Sequence, residues 1–279
     1  MTTETQSARV ERAYASIKAR VGAPSEVALI LGSGLGQLAD AVKNPVVIPY
    51  GEIDGFPVST APLHKGQLVI GELFGRRTVV MQGRLHLYEG WNPRDIAMVI
   101  YFLKRLCPKT LVITNAAGGL NAEFGAGDLM LIEDHINFTG KSPLAGPNDE
   151  AIGVRFPDMS RAYDRDLAKL ALAAAARAGI PIRSGIYAGW HGPELETSAE
   201  RRFLRNAGAD AVGMSTVAEV ISASHVGLPV VAISAVTNAA TGGPEQEPDT
   251  LEKIVAVAVE SGKKIEKILA ELFPVLPKA

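Results

Sequence analysis

The stretch Leu111-Val112-Ile113-Thr114-Asn115-Ala116-Ala117-Gly118-Gly119-Leu120-Asn121 decides the fold. Its first three residues form an uninterrupted apolar run, the pattern of a short strand buried on both faces, as in parallel sheets. Thr114 and Asn115 then place polar side chains where an internal strand would leave the core. Ala116, Ala117, Gly118 and Gly119 read as a turn of small residues that leaves backbone N–H groups open to a closely approaching ligand. In open α/β sheets, ligands bind just beyond the carboxyl ends of strands. A plain tight turn needing two glycines would carry the same letters, so the reading depends on the rest of the chain.

Working outward, residues 27–31 read as a strand that runs into Gly32-Ser33-Gly34-Leu35-Gly36 and a short helix over 37–42. Strands follow at 46–50, 67–73 and 77–82, the last two as a hairpin around Phe74-Gly75-Arg76. A polar, aromatic turn at 83–90 leads to a helix at 95–106. Beyond the opening stretch, strands are expected at 128–136, 184–187, 211–213 and 229–237, and helices at 161–179, 198–207, 217–225 and 249–273. Residues 7–20 form a further helix, stopped by Gly22 and Pro24. Apolar strands alternating with helices define an α/β protein. With no linker or repeat, one domain over 1–279 is expected, with an N-terminal helix within 1–24 and a closing helix at 249–273. The loop at 137–158 is long, and such loops in compact domains are functional or reach a neighbour.

The 279 residues are 47% hydrophobic and 21% charged, which is ample for a core. A net charge of −2 gives no basic surplus for nucleic acid or an anionic membrane. Any anion site must therefore be local. The only cysteine, Cys107, excludes an internal disulfide and a cysteine-rich zinc site, and reads as a small buried hydrophobe. The polar N-terminus reads as a helix rather than a signal peptide, and no apolar run approaches a membrane span. A soluble, cytoplasmic protein is expected.

The Gly32–Gly36 turn invites a dinucleotide-binding reading, with Glu52 at the distance of a ribose acid, but Gln37 stands where the fingerprint wants glycine. It also fails as a serine-hydrolase elbow, since Ser33 is not centred in G-x-S-x-G. What remains is a flexible turn with one hydroxyl, competent to cradle an anion or simply to turn the chain. Arg84, His86 and Tyr88 alternate, so in extended geometry they share a face. Arginine offers a planar donor fork for phosphate and histidine a further donor, although a solvated strand end with a salt bridge fits the same letters. Glu196 and Asn238 each follow a strand; together a carboxylate and an amide can read the edge of a purine. Glu200 and Glu219, on helices, read as solvated or ion-paired. His135 reads as a core histidine and His225 as a partner of its helix dipole.

Residues 29–36, 83–90, 114–121, 192–200 and 208–219 follow one another in the order and spacing of the trimeric purine nucleoside phosphorylases, and the chain resembles that family from about 27 to 238. The resemblance implies a central mixed, largely parallel twisted sheet, partly barrel-like and flanked by helices. It implies phosphate-dependent cleavage of a purine nucleoside to base and ribose 1-phosphate, with phosphate as co-substrate and no metal or other cofactor. Ser33, Arg84, His86, Ser215 and the backbone of Ala116 would hold phosphate, with His64 nearby. Tyr88 and Met214 would line the ribose. Glu196 and Asn238 would hold the base, beside Ala117, Gly118 and Leu195. Phe156 would reach into a neighbouring subunit's site in a homotrimer.

Three residues depart from the family pattern. Leu195 replaces a stacking aromatic ring. Trp190 and His191 replace smaller residues, and His191 could pair with Glu196 or touch the base. Val255 aligns with a histidine that binds the ribose 5′-hydroxyl in many relatives, so a 5′-methylthio or 5′-deoxy nucleoside becomes an alternative substrate. Asn238, where relatives that take 5′-methylthioadenosine carry aspartate, favours 6-oxopurines such as hypoxanthine and guanine. A nucleoside-binding protein without turnover and a dinucleotide-dependent oxidoreductase are the readings from other classes.

Overall fold

In the computed structural model, which describes residues 4–106, 108–244, 246 and 248–278, the chain opens with α1 (Gln6–Val21), capped by Thr5, whose Oγ1 accepts from the N–H of Ala8. Strands β1 (Val27–Leu31), β2 (Lys43–Pro49), β3 (Gln67–Leu73) and β4 (Arg76–Gln82) follow, then α2 (Pro93–Arg105) and β5 (Thr110–Gly119). The second half runs β6 (Leu129–Asn137), α3 (Arg165–Arg177), β7 (Arg183–Gly189), α4 (Ser198–Asn206), β8 (Ala211–Gly213), α5 (Val217–His225), β9 (Val230–Ala239) and α6 (Leu251–Leu272). Cys107 lies outside the described residues. Among the described residues, no helix is long and apolar enough to cross a membrane.

The strands form one nine-stranded sheet in the order β2-β3-β4-β1-β5-β8-β7-β6-β9, and a further β5–β9 pairing brings its end back to its middle. β5, β8, β7, β6 and β9 therefore close into a ring, from which β1, β4, β3 and β2 extend as an open wing. β5 is the hub. Its first half pairs with β1, its last two residues with β8, and its length with β9. Most ring pairings are parallel, but β5–β8 and β6–β9 are antiparallel, so the sheet is mixed.

The opening stretch is correctly read as a buried strand but ends later than expected. Ala116 to Gly119 are not a turn: they continue β5, in register with Ala235, Val236, Asn238 and Ala239 of β9 across a one-residue irregularity. The glycines serve close packing. A Cβ on Gly118 would lie 2.9 Å from Cβ of Ala240, and one on Gly119 would lie 2.9 Å from Cγ1 of Val236. Gly32 has the same function at the end of β1, where a Cβ would come within 2.7 Å of Cα of Asn115.

Two apolar layers bury the faces of the sheet. Ile17, Phe102, Ile113 and Val220 belong to the layer beneath α1, α2 and α5. Leu29, Val112, Ala171 and Ile265 belong to the layer beneath α3 and α6. Consecutive residues of β1 and of the first half of β5 point to opposite layers and are excluded from water, which is why these stretches read as continuous apolar runs.

Candidate active site

The carboxyl ends of β1 and β5, and the segments after β4, β7, β8 and β9, surround a cavity of about 410 Å³. At one end stand Ser33, Arg84, His86, Ala116 and Ser215. Arg84 is 1% exposed, an arginine almost wholly removed from water. Its Nη1 donates to Oγ1 of Thr216 (3.2 Å) and lies 3.2 Å from Oε2 of Glu219, an ion pair without hydrogen-bond geometry. Its Nη2 donates to the carbonyl of Thr114. Nε has no partner. The guanidinium is thus fixed in place with a donor to spare, and a buried donor costs free energy until an acceptor meets it.

Thr216, which the sequence reading missed, organises this end. It is a buried β-branched residue at φ +71° and ψ −50°, a sparsely populated conformation that costs about 1–3 kcal/mol. There its Oγ1 accepts from Arg84 and from Nδ2 of Asn115 (2.8 Å) and lies 3.2 Å from Oγ of Ser215. A threonine directly before a helix reads as an ordinary cap, yet its side chain makes no cap bond to α5. The sequence carries no signal for this backbone.

His86 and Tyr88 stack with ring centroids 4.7 Å apart, and His64 stacks on His86 at 5.2 Å. Nδ1 of His86 lies 3.0 Å from Oε1 of Glu89, which also accepts from the His86 N–H (2.7 Å). Burial opposes charge on Glu89, but the hydrogen bonds from His86 and Thr60 outweigh it and hold the carboxyl at about 2. Glu89 thus orients the imidazole as a fixed anion. Burial, with His86 next, pushes His64 down to about 4, so this ring is neutral near neutral pH. His64 is not on the cavity wall, but its Nε2 lies 3.3 Å from Oγ of Ser33.

At the other end are Glu196, before α4, and Asn238, near the end of β9. Oγ1 of Thr237 donates to Oδ1 of Asn238 (2.9 Å), leaving the amide nitrogen facing Gly118. Glu196 is 7% exposed and burial raises its pKa, against the pull of Arg201. Tyr88, Ala117, Gly118, Leu195 and Met214 line the space between the ends. A cis peptide joins Gly192 to Pro193, which also lines the cavity.

Several expectations are corrected. α6 begins at Leu251 behind its cap Thr250, so Leu251 and Ile254 line the cavity and Val255 does not. The apolar position therefore stands one turn earlier than the alignment placed it. His191 is neither on the wall nor bonded to Glu196, whose ionic partner is Arg201. His135 is half-buried, 3.1 Å from the hydroxyl of Tyr163, rather than a core residue. His225 does end α5, but its ring meets the hydroxyl of Tyr101 at 2.7 Å. Glu219 is ion-paired as expected, but buried, with Arg84; Glu200 forms a capping box with Thr197. Phe156 is 86% exposed and lies away from this cavity, beside a separate hollow shared with His135 and Met159. The dinucleotide reading loses its ribose acid, since Glu52 pairs with Arg20 at 2.6 Å; Gln37, already at odds with the fingerprint, is tied to the carbonyl of Val259.

A buried, donor-rich pocket faces a carboxylate–amide pair across one cavity at the sheet's carboxyl edge, and the chain is a member of the phosphorylase superfamily, whose model matches residues 26–274. It is 50% identical over 267 residues to purine nucleoside phosphorylase 1 of Bacillus subtilis, covering 94% of this chain and 98% of that one. The purine nucleoside phosphorylase of Schistosoma mansoni in complex with inosine superposes with a TM-score of 0.92 at 39% identity, covering 97% of each chain. A purine nucleoside phosphorylase in complex with ribose 1-phosphate does so with a TM-score of 0.89 at 40% identity, again covering 97% of each. The chain belongs to the purine nucleoside phosphorylase family. Its fold is the one the resemblance implied, a single α/β domain around a mixed, partly closed sheet.

Proposed function

We propose that this protein catalyses the reversible phosphorolysis of 6-oxopurine ribo- and deoxyribonucleosides, inosine and guanosine among them, to the free base and (deoxy)ribose 1-phosphate. The observation that carries this is the polarity of the cavity: Arg84 with its unpartnered donor at one end, Glu196 and Asn238 at the other. Breaking the glycosidic bond leaves positive charge on the ribosyl carbon and negative charge on the departing purine. Phosphate held by Ser33, Arg84, His86, Ser215 and the Ala116 N–H stabilises the cation and then captures it. Asn238 donates to N7 of the base while Glu196 accepts from N1–H, which stabilises the leaving anion. Tyr88 and Met214 flank the sugar. Positioning and electrostatics supply the acceleration, and the residues at hand cover both charges, so we assign no cofactor.

Leu251 and Ile254 favour a second substrate class. They make the α6 side of the cavity apolar, a wall that accepts a 5′-deoxy or 5′-methylthio group as readily as a hydroxyl. Phe156, exposed on a long loop beside a hollow of about 630 Å³, fits a homotrimer in which each protomer lends this ring to the next. We place the enzyme in the cytoplasm with its small-molecule substrates, and give it no nucleic-acid or membrane partner, in keeping with the net charge of −2. Release of base from inosine, guanosine and 5′-methylthioinosine, each with and without phosphate, tests the assignment. Phosphate-dependent release with ribose 1-phosphate as co-product is expected; release without phosphate, or none, would refute it.

A further inference from the structure

Outside the residues already given roles, the cavity's base end rests on a buried charge cluster. Arg201 of α4, with its side chain 5% exposed, lies between Glu196 and Asp249. Its Nη2 donates to Oδ2 of Asp249 (2.8 Å), whereas its Nε stands 3.5 Å from Oε2 of Glu196 and makes no hydrogen bond. The guanidinium therefore lends Glu196 its charge without occupying the carboxylate's lone pairs.

The same helix straps down the chain that follows Asn238. Arg202 donates to the carbonyl of Gly242 (2.6 Å) and Arg205 to that of Thr241 (2.9 Å). Gly242, at φ +66°, packs against Arg201 so closely that a Cβ there would lie 3.0 Å from the arginine's own Cβ. Asp249 immediately precedes Thr250, the cap of α6. Arg201 thus joins the carboxylate that reads the base to the helix whose first turn forms the apolar wall.

We propose that Arg201, anchored by Asp249, is the positioning residue that keeps Glu196 a bare acceptor and thereby selects bases carrying N1–H over bases whose N1 is unprotonated. The proposal rests on the assignment of Glu196 to the base. An ionised carboxylate accepts from N1–H of a 6-oxopurine; a protonated one donates to the bare N1 of a 6-aminopurine. A carboxyl this deeply buried is driven toward its neutral form unless a cation stands by. Among the described residues, the charged groups that act on Glu196 are Arg201 and Asp249, in opposite directions; Lys253 of α6 lies on the adjoining cavity with Asn238 and Asp249.

The test compares Arg201→Met, Arg201→Lys and Asp249→Asn with the intact enzyme, measuring kcat/KM for inosine and adenosine across pH. Arg201→Met should move the acid limb of the inosine profile to higher pH and raise the adenosine-to-inosine ratio at acid pH by roughly tenfold or more. Arg201→Lys should recover most of this. Asp249→Asn keeps an oxygen to accept from Nη2 of Arg201 but removes the charge that opposes ionisation, so its limb should move to lower pH, and KM for phosphate should stay constant throughout. Opposed shifts from two neighbours of one carboxylate are not what general loosening produces. Limbs that stay in place, or move together, overturn the proposal. Glu196→Gln run alongside reads the underlying assignment: full inosine activity in that variant removes Glu196 from the base and the proposal with it.

Discussion

Thr216 holds Arg84 by a 3.2 Å hydrogen bond from a left-handed backbone position, and the same oxygen accepts from Asn115. Thr216 therefore fixes Arg84 together with Glu219 and the carbonyl of Thr114, partners distant from the arginine in sequence. Thr216→Ala keeps the backbone constraint but frees both donors. It should raise KM for phosphate by about tenfold, the loss of roughly one buried hydrogen bond to a charged group, with little change in KM for inosine. Unchanged phosphate dependence would show that Arg84 is held by Glu219 and Thr114 alone.

Asn238→Ala removes the amide proposed to meet the leaving base. Turnover of inosine should fall by about 10²–10³-fold, as for other preorganised donors to a developing anion. Phosphate affinity, measured by protection or calorimetry, should persist. Retained turnover would remove Asn238 from leaving-group stabilisation.

Leu251→His places a donor on the apolar wall. Discrimination of inosine over 5′-deoxyinosine, read as the ratio of kcat/KM, should rise by about tenfold, the worth of one hydrogen bond of 1–2 kcal/mol. The same change at Val255 should do much less, since that residue is off the wall. An equal effect at both positions would contradict the observed start of α6.

Phe156→Ala should raise KM for inosine several-fold while leaving melting of the subunit nearly unchanged, because the ring is 86% exposed within the protomer. Sedimentation should show a trimer for the intact protein. A fully active monomer would exclude a shared site.

His64, pushed down to about 4 by burial, sets a pH dependence of stability. The unfolded chain takes up this proton near its ordinary 6.5, the folded chain only near 4, so stability is complete above that window and falls as pH drops through it. His64→Gln should flatten the difference between denaturation curves at pH 7 and pH 4.5. An unchanged slope would mean that other groups carry the acid sensitivity.

Local pattern carried far in this chain. The apolar runs of β1 and β5 were legible because strand periodicity decides them. Arg84, His86 and Tyr88 do share the cavity, but Tyr88 reaches it from a 3-10 turn over Leu87–Glu89 rather than from the extended chain the alternation suggested. The extent of β5 was not, because Gly118 and Gly119 look like a turn until Ala240 and Val236 are seen pressing against them. Thr216 was hidden because its backbone is imposed by partners distant in sequence. The start of α6 depends on Thr250, which lies beyond a segment with no periodicity to count from. Arg201 sits in a run of charges on a short helix, letters that ordinarily mean a wet surface; only the fold turns that face inward.

Gly118 lies opposite Asn238 in the ladder between β5 and β9, and both strands belong to the closed ring. The floor of the cavity here is therefore a hoop that cannot widen at one point without breaking a ladder elsewhere. Hydrogen exchange at these amides should be among the slowest in the protein, filled or empty. Any yielding on entry and release is expected at the rim outside the hoop, where Leu251 and Ile254 of the first turn of α6 border the cavity.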